Sequence, residues 1–312
     1  MKKLLILAAI LLIVIISIYV FIPSGIQVSA VTKAKTTMGG AYRTLTSKQQ
    51  WQKWWNYNDN ETPVNTDTSF TTDNYTYSLS EAGIDNILVS IQNNKKIVKS
   101  KLTLFQLPID SIGIIWQCTF PSTNNPITRI QQYFEAVSLK KSFDEHLNSF
   151  RSFVENDENI YGMKILQSSI KDSFLISKKQ LFTQLPTMKE VYALIDILKV
   201  YAAKNNCTQT NAPMLNILQD SGQYRVMVAL PINKAITTAP PISLIKMVKG
   251  NFMVAQVRGG LGTVKNALQQ MQYYFGDYNK TSMAIPFQYL ITNRLQQPDT
   301  TKWVTEIYAP VL

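Results

Sequence analysis

Histidine and cysteine are nearly missing from this chain, which has one histidine and two cysteines among its 312 residues. A zinc or iron site built on nitrogen and sulfur ligands needs three or four such side chains, so we expect no metal and no cofactor. With a single histidine, Ser-His-Asp and Cys-His catalytic arrangements have no support either. His146 lies in a predicted helix, where we expect it to be partly exposed. Cys118 and Cys207 are far apart in sequence and are expected to be two buried free thiols.

The chain also lacks a block of lysine and arginine, a zinc-finger spacing and a helix-turn-helix pattern, so nucleic acid is not an expected partner. The formal net charge is nevertheless +11, of which residues 156–312 carry +7. A positive charge of this size favours weak attraction to anionic surfaces such as lipid headgroups. Since 46% of the residues are apolar, the chain can form two domains that each bury a core.

One long hydrophobic run is present, at the start of the chain. It comprises 19 uncharged residues, Leu4 to Ile22, and as a helix it would span about 28 Å, close to the ~30 Å hydrocarbon core of a bilayer. A cleaved signal peptide is the alternative, with small residues at 28–30 as a cleavage site, but the run exceeds the roughly 7–15 residues of a signal-peptide core. We therefore predict a transmembrane anchor over residues 1–24. Lys2 and Lys3 favour a cytoplasmic N-terminus and place the rest of the chain outside the cytoplasm.

The pattern of residues 25–155 predicts a strand, a short helix, several antiparallel strands and a long helix. In the short helix, Trp51, Trp54 and Trp55 share a face through their i, i+3, i+4 spacing. This face would line a ligand cavity, lie at the membrane interface or fill the core of its own domain. The Asn-, Asp- and Thr-rich stretch at 56–74 predicts a loop.

The long helix has an apolar face whose position changes along the chain. Ile127, Ile130, Phe134 and Val137 share one face, but the apolar positions after Ser138 follow a different phase. Such a change predicts a kink or two separate helices.

This order of elements, with "AYRTL" at 41–45 and "WQKWW" at 51–55, resembles the helix-grip fold of the START-like or SRPBCC superfamily. The resemblance covers residues 25–155. It implies a sheet wrapped around the long helix, often with an apolar cavity between them.

An acidic, polar segment at 155–162 predicts a domain boundary. Beyond it the chain contains an internal near-repeat, in which each half runs strand, helix, strand, strand. The helix of the first half is preceded by Thr187 and has Glu190 three residues later, which is the pattern of a capping box.

The closing strands of the two halves show the repeat best. The sequences "RVMVALPI" at 225–232 and "WVTEIYAPV" at 303–311 both end in an apolar-Pro-apolar triplet. When these prolines are aligned, Met227 of the first half matches Glu306 of the second. Strand alternation predicts that Val304, Glu306 and Tyr308 share one face and that Trp303, Thr305 and Ile307 share the other.

The doubled βαββ layout resembles the GyrI-like domain, also called the AraC-type effector-binding domain, over residues 160–312. The stretches that carry the resemblance are "PMLNI" at 213–217, "RVMVALPI" at 225–232, "MVKGNFMVAQVRGG" at 247–260, "AIPFQYLITNR" at 284–294 and "PDTTKWVTEIYAPV" at 298–311. The whole chain also resembles a recurrent bacterial membrane-anchored architecture. The expected fold class is α+β: an N-terminal transmembrane helix, a helix-grip domain and a duplicated βαββ domain.

The GyrI-like resemblance implies a groove between the two halves that binds small, often lipophilic and cationic molecules against aromatic side chains and an acid. Glu306 is the only acid on the last predicted strand, so it is the candidate. If the family's acid belongs to the preceding strand, Gln288 stands there instead, and a neutral amide would put cation binding in doubt. Tyr289, Tyr308 and Trp303 complete the expected ligand-binding set.

Three functions follow from these patterns. The first is a membrane-anchored protein that binds a small lipophilic molecule, a cation where the acid is retained. The second is a hydrolase of small reactive electrophiles, with Glu306 as general base and Tyr289 or Tyr308 orienting the substrate. The third is a non-catalytic envelope protein that binds a partner and whose pockets are filled by side chains. The oligomeric state is left open.

Overall fold

The computed structural model describes residues 2–23, 25–55, 65–66, 69–72, 75–83, 86–93, 96–121, 123–170, 172–247, 250–282 and 284–311. Within these ranges the chain forms seven α-helices and two antiparallel sheets of seven and eight strands, a mixed α+β fold. It divides into two compact units, unit 1 (Met1–Asn156) and unit 2 (Asp157–Leu312).

The chain begins with helix α1 (Lys2–Phe21). By length and composition α1 is able to cross a membrane, a property that it shares with signal sequences. Its side chains are exposed over most of its length.

Unit 1 continues with two short helices, seven strands and a long helix. The helices are α2 (Met38–Thr46), α3 (Lys48–Trp54) and α4 (Pro126–Val154). The strands are β1 (Gly25–Ala34), β2 (Asn65–Thr66), β3 (Ser69–Thr72), β4 (Tyr75–Ala82), β5 (Asn86–Asn93), β6 (Lys96–Leu107) and β7 (Ser111–Pro121). They form one antiparallel sheet in the order β1-β7-β6-β5-β4-β3-β2, and α4 packs along β1. Most of the stretch at 56–74, predicted to be a loop, lies outside the described residues, and its described parts form β2 and β3.

The core of unit 1 is an aromatic cluster centred on the three tryptophans of the "WQKWW" stretch. Trp51, Trp54 and Trp55 are fully buried, and the rings of Trp51 and Trp55 are stacked with centroids 5.2 Å apart. Of the alternatives for this face, the tryptophans therefore fill the core. Their neighbours in the cluster include Phe70, Tyr77, Trp116, Phe150 and His146.

His146 lies inside this cluster, so the prediction of a partly exposed histidine is wrong. Its ring is stacked on Trp55 at a centroid distance of 3.9 Å, and only 3% of the residue is exposed. The prediction failed because the face of α4 that carries His146 packs against the sheet. Cys118 and Cys207 are both free and buried, as predicted.

Helix α4 is continuous from Pro126 to Val154. Of the two predicted alternatives, two separate helices are therefore wrong, and the kink stays a prediction. The change of phase near Ser138 coincides with a change in which apolar side chains are exposed. Before Ser138, the large apolar side chains of Ile127, Phe134 and Val137 are exposed, although Ala136 is buried. After it, Leu139, Phe143 and later apolar residues point into the core.

Unit 2 contains three helices and eight strands. The helices are α5 (Asp157–Tyr161), α6 (Met188–Lys204) and α7 (Leu261–Asp277). The strands are β8 (Ile165–Ser169), β9 (Phe174–Phe182), β10 (Met214–Asp220), β11 (Gln223–Ile232), β12 (Ile242–Lys246), β13 (Asn251–Arg258), β14 (Phe287–Leu290) and β15 (Val304–Val311). They form one antiparallel sheet in the order β12-β9-β11-β10-β14-β15-β13-β8.

The strand order of unit 2 is that of an internal duplication. The elements β9-α6-β10-β11 and β13-α7-β14-β15 follow the same order, and β10 and β14 pair at the centre of the sheet. The strand before each half crosses over: β8 leads into β9 but pairs with β13, and β12 leads into β13 but pairs with β9. Each half therefore completes the sheet edge of the other.

The two faces of this sheet have different roles. One face, called the helix face, packs against α6 through apolar residues that include Val191, Ile195, Leu198, Leu215 and Val228. Helix α6 starts at the predicted capping box, in which Thr187 and Glu190 bond each other's backbone N–H groups. The opposite face, called the groove face, carries a separate apolar cluster that includes Leu175, Met214, Ala229, Phe252, Phe287 and Tyr289.

Candidate functional site

Glu306 lies on the groove face, in the middle of β15. Its register partners are Tyr289 on β14 and Gln256 on β13. The residues before and after it, Thr305 and Ile307, are fully buried, whereas Glu306 itself is half-buried. The alternation predicted for this strand is thus the observed one, and it directs the Glu306 carboxylate away from the helix face.

Four aromatic rings surround this position on the groove face. The ring of Tyr308 is stacked on Phe287 at 5.6 Å and meets Tyr289 edge to face at 5.0 Å. Phe252 contacts both Phe287 and Tyr308 at centroid distances of 6.0 and 6.2 Å. The four rings come from three strands, β13, β14 and β15. They contact one another because cross-strand partners on one face lie within side-chain reach.

The Glu306 carboxylate accepts two hydrogen bonds, both from neutral groups. Gln256 donates from Nε2 to Oε1, and the Tyr308 hydroxyl donates to Oε2, each at 3.3 Å. Burial, followed by the neighbouring Glu306 carboxylate, raises the pKa of Tyr308 to about 12. Tyr308 is therefore a neutral hydrogen-bond donor at any ordinary pH.

A second acid, Asp172, bonds the other tyrosine of the contacting pair Tyr289 and Tyr308. The Tyr289 hydroxyl donates to its Oδ2 at 2.9 Å. Thr210 Oγ1 donates to Oδ1 at 2.8 Å, and Asn211 Nδ2 donates to Oδ2 at 3.0 Å. Burial, together with the Asp172 carboxylate, raises the pKa of Tyr289 above its usual value.

Asp172 was not identified from the sequence, because it lies in the connection between β8 and β9, outside any periodic pattern. It comes close to Tyr289, 117 residues away, because the antiparallel pairing of β10 with β14 joins the two halves. The one sequence signal that could have directed attention to it is the internal repeat. When the two halves are aligned, the connection from β8 to β9 matches the connection from β12 to β13.

The groove face carries a cleft toward each half. The first has a volume of about 150 Å³ and is lined by apolar residues that include Leu175, Met214, Met227, Ile245, Met247 and Phe287. The second has a volume of about 620 Å³ and is lined by residues that include Lys164, Leu166, Gln256, Arg258, Thr263 and Glu306. Met227 and Glu306, which match in the sequence repeat, thus line the apolar and the polar cleft respectively.

Two of the predicted ligand-binding residues, Gln288 and Trp303, are not brought together with Glu306. Gln288 pairs with Leu215 and Ile307 and lies on the helix face. Trp303 is buried and donates from Nε1 to the backbone oxygen of Gln297 at 2.7 Å. Gln288 alternates with Phe287 and Tyr289, so it points to the opposite side of the sheet. Trp303 precedes β15, and the Arg294 guanidinium that lies over its ring donates to Thr305, a residue of the helix face.

Unit 1 has a cavity of its own, about 590 Å³ in volume, between the sheet and α4. It is lined by Tyr75, Ile91, Asn93, Lys96, Val98, Phe120, Glu135 and Leu139. Lys96 and Glu135 form an ion pair of 3.9 Å in this lining. The tryptophan cluster is not part of the lining. Among the described residues of the whole chain, no group of three His, Cys, Asp or Glu side chains is placed to hold a metal ion.

Comparisons with protein-family models and with curated proteins found no match. Among solved structures, the EcmrR C-terminal domain is 16% identical, with 48% of this chain and 98% of that chain covered and a TM-score of 0.42. SAV2435 bound to tetraphenylphosphonium is 14% identical, with 48% and 94% covered and a TM-score of 0.34. CalU16 from Micromonospora echinospora is 10% identical, with 41% and 73% covered and a TM-score of 0.31. Similarity at this level assigns the chain neither to a family nor to a function.

Proposed function

We propose that unit 2 binds a small lipophilic cation on the groove face, with its charge near Glu306 and Asp172. One observation carries the proposal: two carboxylates flank a cluster of aromatic rings, and among the described residues neither forms an ion pair with lysine or arginine. Their hydrogen-bond donors are neutral hydroxyl and amide groups. A negative charge beside apolar surface is costly without a counter-charge, and a bound cation would supply one.

The aromatic rings add to the attraction. A cation over the face of a tyrosine or phenylalanine gains about 0.5–2 kcal/mol, with the larger values in desolvated sites. Because the hydroxyl groups of Tyr289 and Tyr308 donate to the carboxylates, the rings are held in place by groups that are themselves part of the site. Such preorganisation reduces the ordering cost of binding.

The apolar cleft of the first half suits the lipophilic part of the ligand. Three methionines, Met214, Met227 and Met247, are in its lining. Methionine side chains are flexible and polarizable, so they adapt to ligands of different shape. Met227 occupies the position in this half that Glu306 occupies in the other. The groove face is therefore apolar in one half and acidic in the other. The sequence resemblance to effector-binding domains favours the same class of ligand.

The test uses a pair of ions that have nearly the same shape and opposite charge. Tetraphenylphosphonium should raise the melting temperature of a fragment of residues 25–312 in a saturable manner, because a ligand of the folded state stabilises it. Tetraphenylborate should have a much smaller effect. Glu306→Gln should weaken tetraphenylphosphonium binding about tenfold, equivalent to ~1.4 kcal/mol, measured by isothermal titration calorimetry.

Asp196→Asn is the matched control, since it removes one exposed carboxylate from α6 and should leave both affinities unchanged. The double variant Glu306→Gln, Asp172→Asn should lose the preference for the cation. Equal affinity of the parent chain for the two ions, or unchanged cation binding in Glu306→Gln, would contradict the proposal.

We also propose that α1 is retained as a single-pass anchor, with the N-terminus in the cytoplasm and both units on the other side of the membrane. The exposed apolar surface of α1 supports this, and so do Lys2 and Lys3 before the apolar run.

A further inference from the structure

The outer surface of the first turns of α4 is unusually apolar. Ile127, Tyr133, Phe134 and Val137 are 68%, 43%, 66% and 51% exposed, and these four side chains are called the α4 patch. Tyr133 and Phe134 contact each other edge to face at 5.9 Å. Single exposed apolar residues are ordinary on a protein surface, whereas a contiguous group indicates an interaction surface.

The polarity of α4 is reversed between its two ends. In the first turns, the inward-facing positions include the buried polar residues Arg129 and Gln132, while the apolar patch faces out. Further along, the same outer face is charged and forms the i, i+4 pairs Lys140–Asp144 and Lys141–Glu145. The outer face is therefore apolar within about 18 Å of the start of the helix and charged beyond it.

The apolar end of α4 is the end attached to α1. The Tyr19 hydroxyl donates a hydrogen bond to the backbone oxygen of Asn124, and the Arg129 guanidinium donates to the backbone oxygen of Ile22. The guanidinium also lies 4.9 Å above the ring of Tyr19. These contacts join the last turn of α1 to the first turn of α4.

The other end of α4 is far from α1. Strand β1, which follows α1, runs along α4, and at its far end the backbone N–H of Lys35 donates to Glu155 at 3.2 Å. Residues of α4 therefore lie farther from α1 as their numbers increase from Asn125 to Glu155.

We propose that the α4 patch lies in the interfacial layer of the membrane and fixes the orientation of unit 1 on the bilayer. The inference rests on the proposed anchoring by α1 and is independent of ligand binding by unit 2. An anchored α1 places the start of α4 at the membrane surface, where aromatic and aliphatic side chains are stabilised and where tyrosine is enriched. The Lys140–Asp144 and Lys141–Glu145 pairs then mark where the helix enters water.

The experiment measures the depth of single labels in the full chain reconstituted in phosphatidylcholine–phosphatidylglycerol vesicles. An environment-sensitive fluorophore is attached to Phe134→Cys, to Asn148→Cys or to Leu11→Cys, and is quenched by lipids with a nitroxide near the headgroup or deep in the acyl chain. Asn148 is exposed on the same outer face of α4, about 21 Å further along the helix, and is the matched control. The parent chain, whose two cysteines are buried, measures background labelling.

The label at 134 should show blue-shifted emission and loss of fluorescence with the shallow quencher, whereas the label at 148 should show neither. The label at 11 should be quenched most by the deep nitroxide, which reports the anchor separately. Tryptophan emission like that of the parent chain verifies that each variant is folded.

Three outcomes would overturn the inference. If the label at 134 behaves like that at 148 while the label at 11 is quenched, the anchor stands and the patch is in water. If emission at 134 is blue-shifted without quenching by lipid, protein covers the patch instead, as in association with a second copy. If the label at 11 is not quenched either, the anchor and the inference both fail.

Discussion

His146 illustrates at the scale of one residue how burial changes chemistry. It is surrounded by Trp55, Tyr77 and Trp116. Burial lowers the pKa of this histidine to about 4, and a hydrogen bond to the backbone of Trp55 opposes the shift only in part. Because the unfolded state takes up the proton near pH 6.5 and the folded state does not, unit 1 keeps its full stability above pH 6.5 and loses stability as the pH falls toward 4.

Lowering the pH from 7 to 5 should therefore reduce the free energy of unfolding of unit 1 by about 2 kcal/mol through this histidine. His146→Gln should be less stable at pH 7, because the stacked ring is lost, but should lack this pH dependence. Urea unfolding of the 25–312 fragment followed by tryptophan fluorescence is a suitable measurement, since four of the five tryptophans lie in unit 1. Asn148→Gln, on the exposed face of α4, should keep the parental dependence. The same dependence in His146→Gln and the parent would contradict the assignment to His146.

The two repeat helices of unit 2 differ at their N-termini. In α6, the Thr187 backbone N–H donates to the Glu190 carboxylate at 2.7 Å, and the Glu190 backbone N–H donates to Thr187 Oγ1 at 3.3 Å. In α7, the N-cap residue is Gly260, which offers no side-chain acceptor. The first turn of α6 is therefore stabilised locally, whereas α7 depends more on packing.

Thr187→Ala should destabilise α6 by about 1 kcal/mol, since a cap residue is lost and the backbone N–H of Glu190 has no replacement acceptor. Hydrogen exchange of α6 amides that open locally should accelerate about fivefold, and exchange in α7 serves as the internal reference. Thr208→Ala, in an exposed loop position, should have no effect on either helix. An unchanged exchange rate in α6 after Thr187→Ala would show that the cap does not limit its opening.

Helix α4 has two different apolar faces, one before and one after Ser138. Its apolar positions before and after Ser138 are both helical in spacing, so each segment alone predicts a buried face. Only the contacts with β1 and α1 distinguish the outward apolar face from the inward one. A pattern of periodicity determines which residues share a face but not what covers that face.

At the scale of the whole molecule, the proposed anchoring by α1 predicts on which side of the membrane the two units lie. Alkaline phosphatase fused after Leu312 should be active in cells, because the enzyme needs an extracytoplasmic environment, and a green fluorescent protein fused there should remain dark. Replacing Lys2 and Lys3 by glutamine should reduce the fraction of molecules with this orientation, because basic residues before the span favour a cytoplasmic N-terminus. A bright fluorescent fusion with inactive phosphatase would place both units in the cytoplasm.

Local patterns in the sequence determined the elements that depend on near neighbours. The apolar run of α1, the capping box of α6 and the alternation along β15 were all predicted, because each is an interaction between residues a few positions apart. The mixed α+β class followed from the same patterns. The assignment of the two units to the helix-grip and GyrI-like families stays a prediction.

Only the tertiary structure decided which residues of these elements come close to one another. The approach of Asp172 to Tyr289, the placement of Gln288 and Trp303 on the helix face, and the burial of His146 follow from strand register and helix docking. Those depend on contacts between residues that are distant in sequence, and a single sequence contains no periodicity at that range. The sequence by itself therefore determined a long apolar helix, a repeat and the residues that share a strand face with Glu306. The fold decided that this acid lies among aromatic rings, with Asp172 bonded to the neighbouring tyrosine.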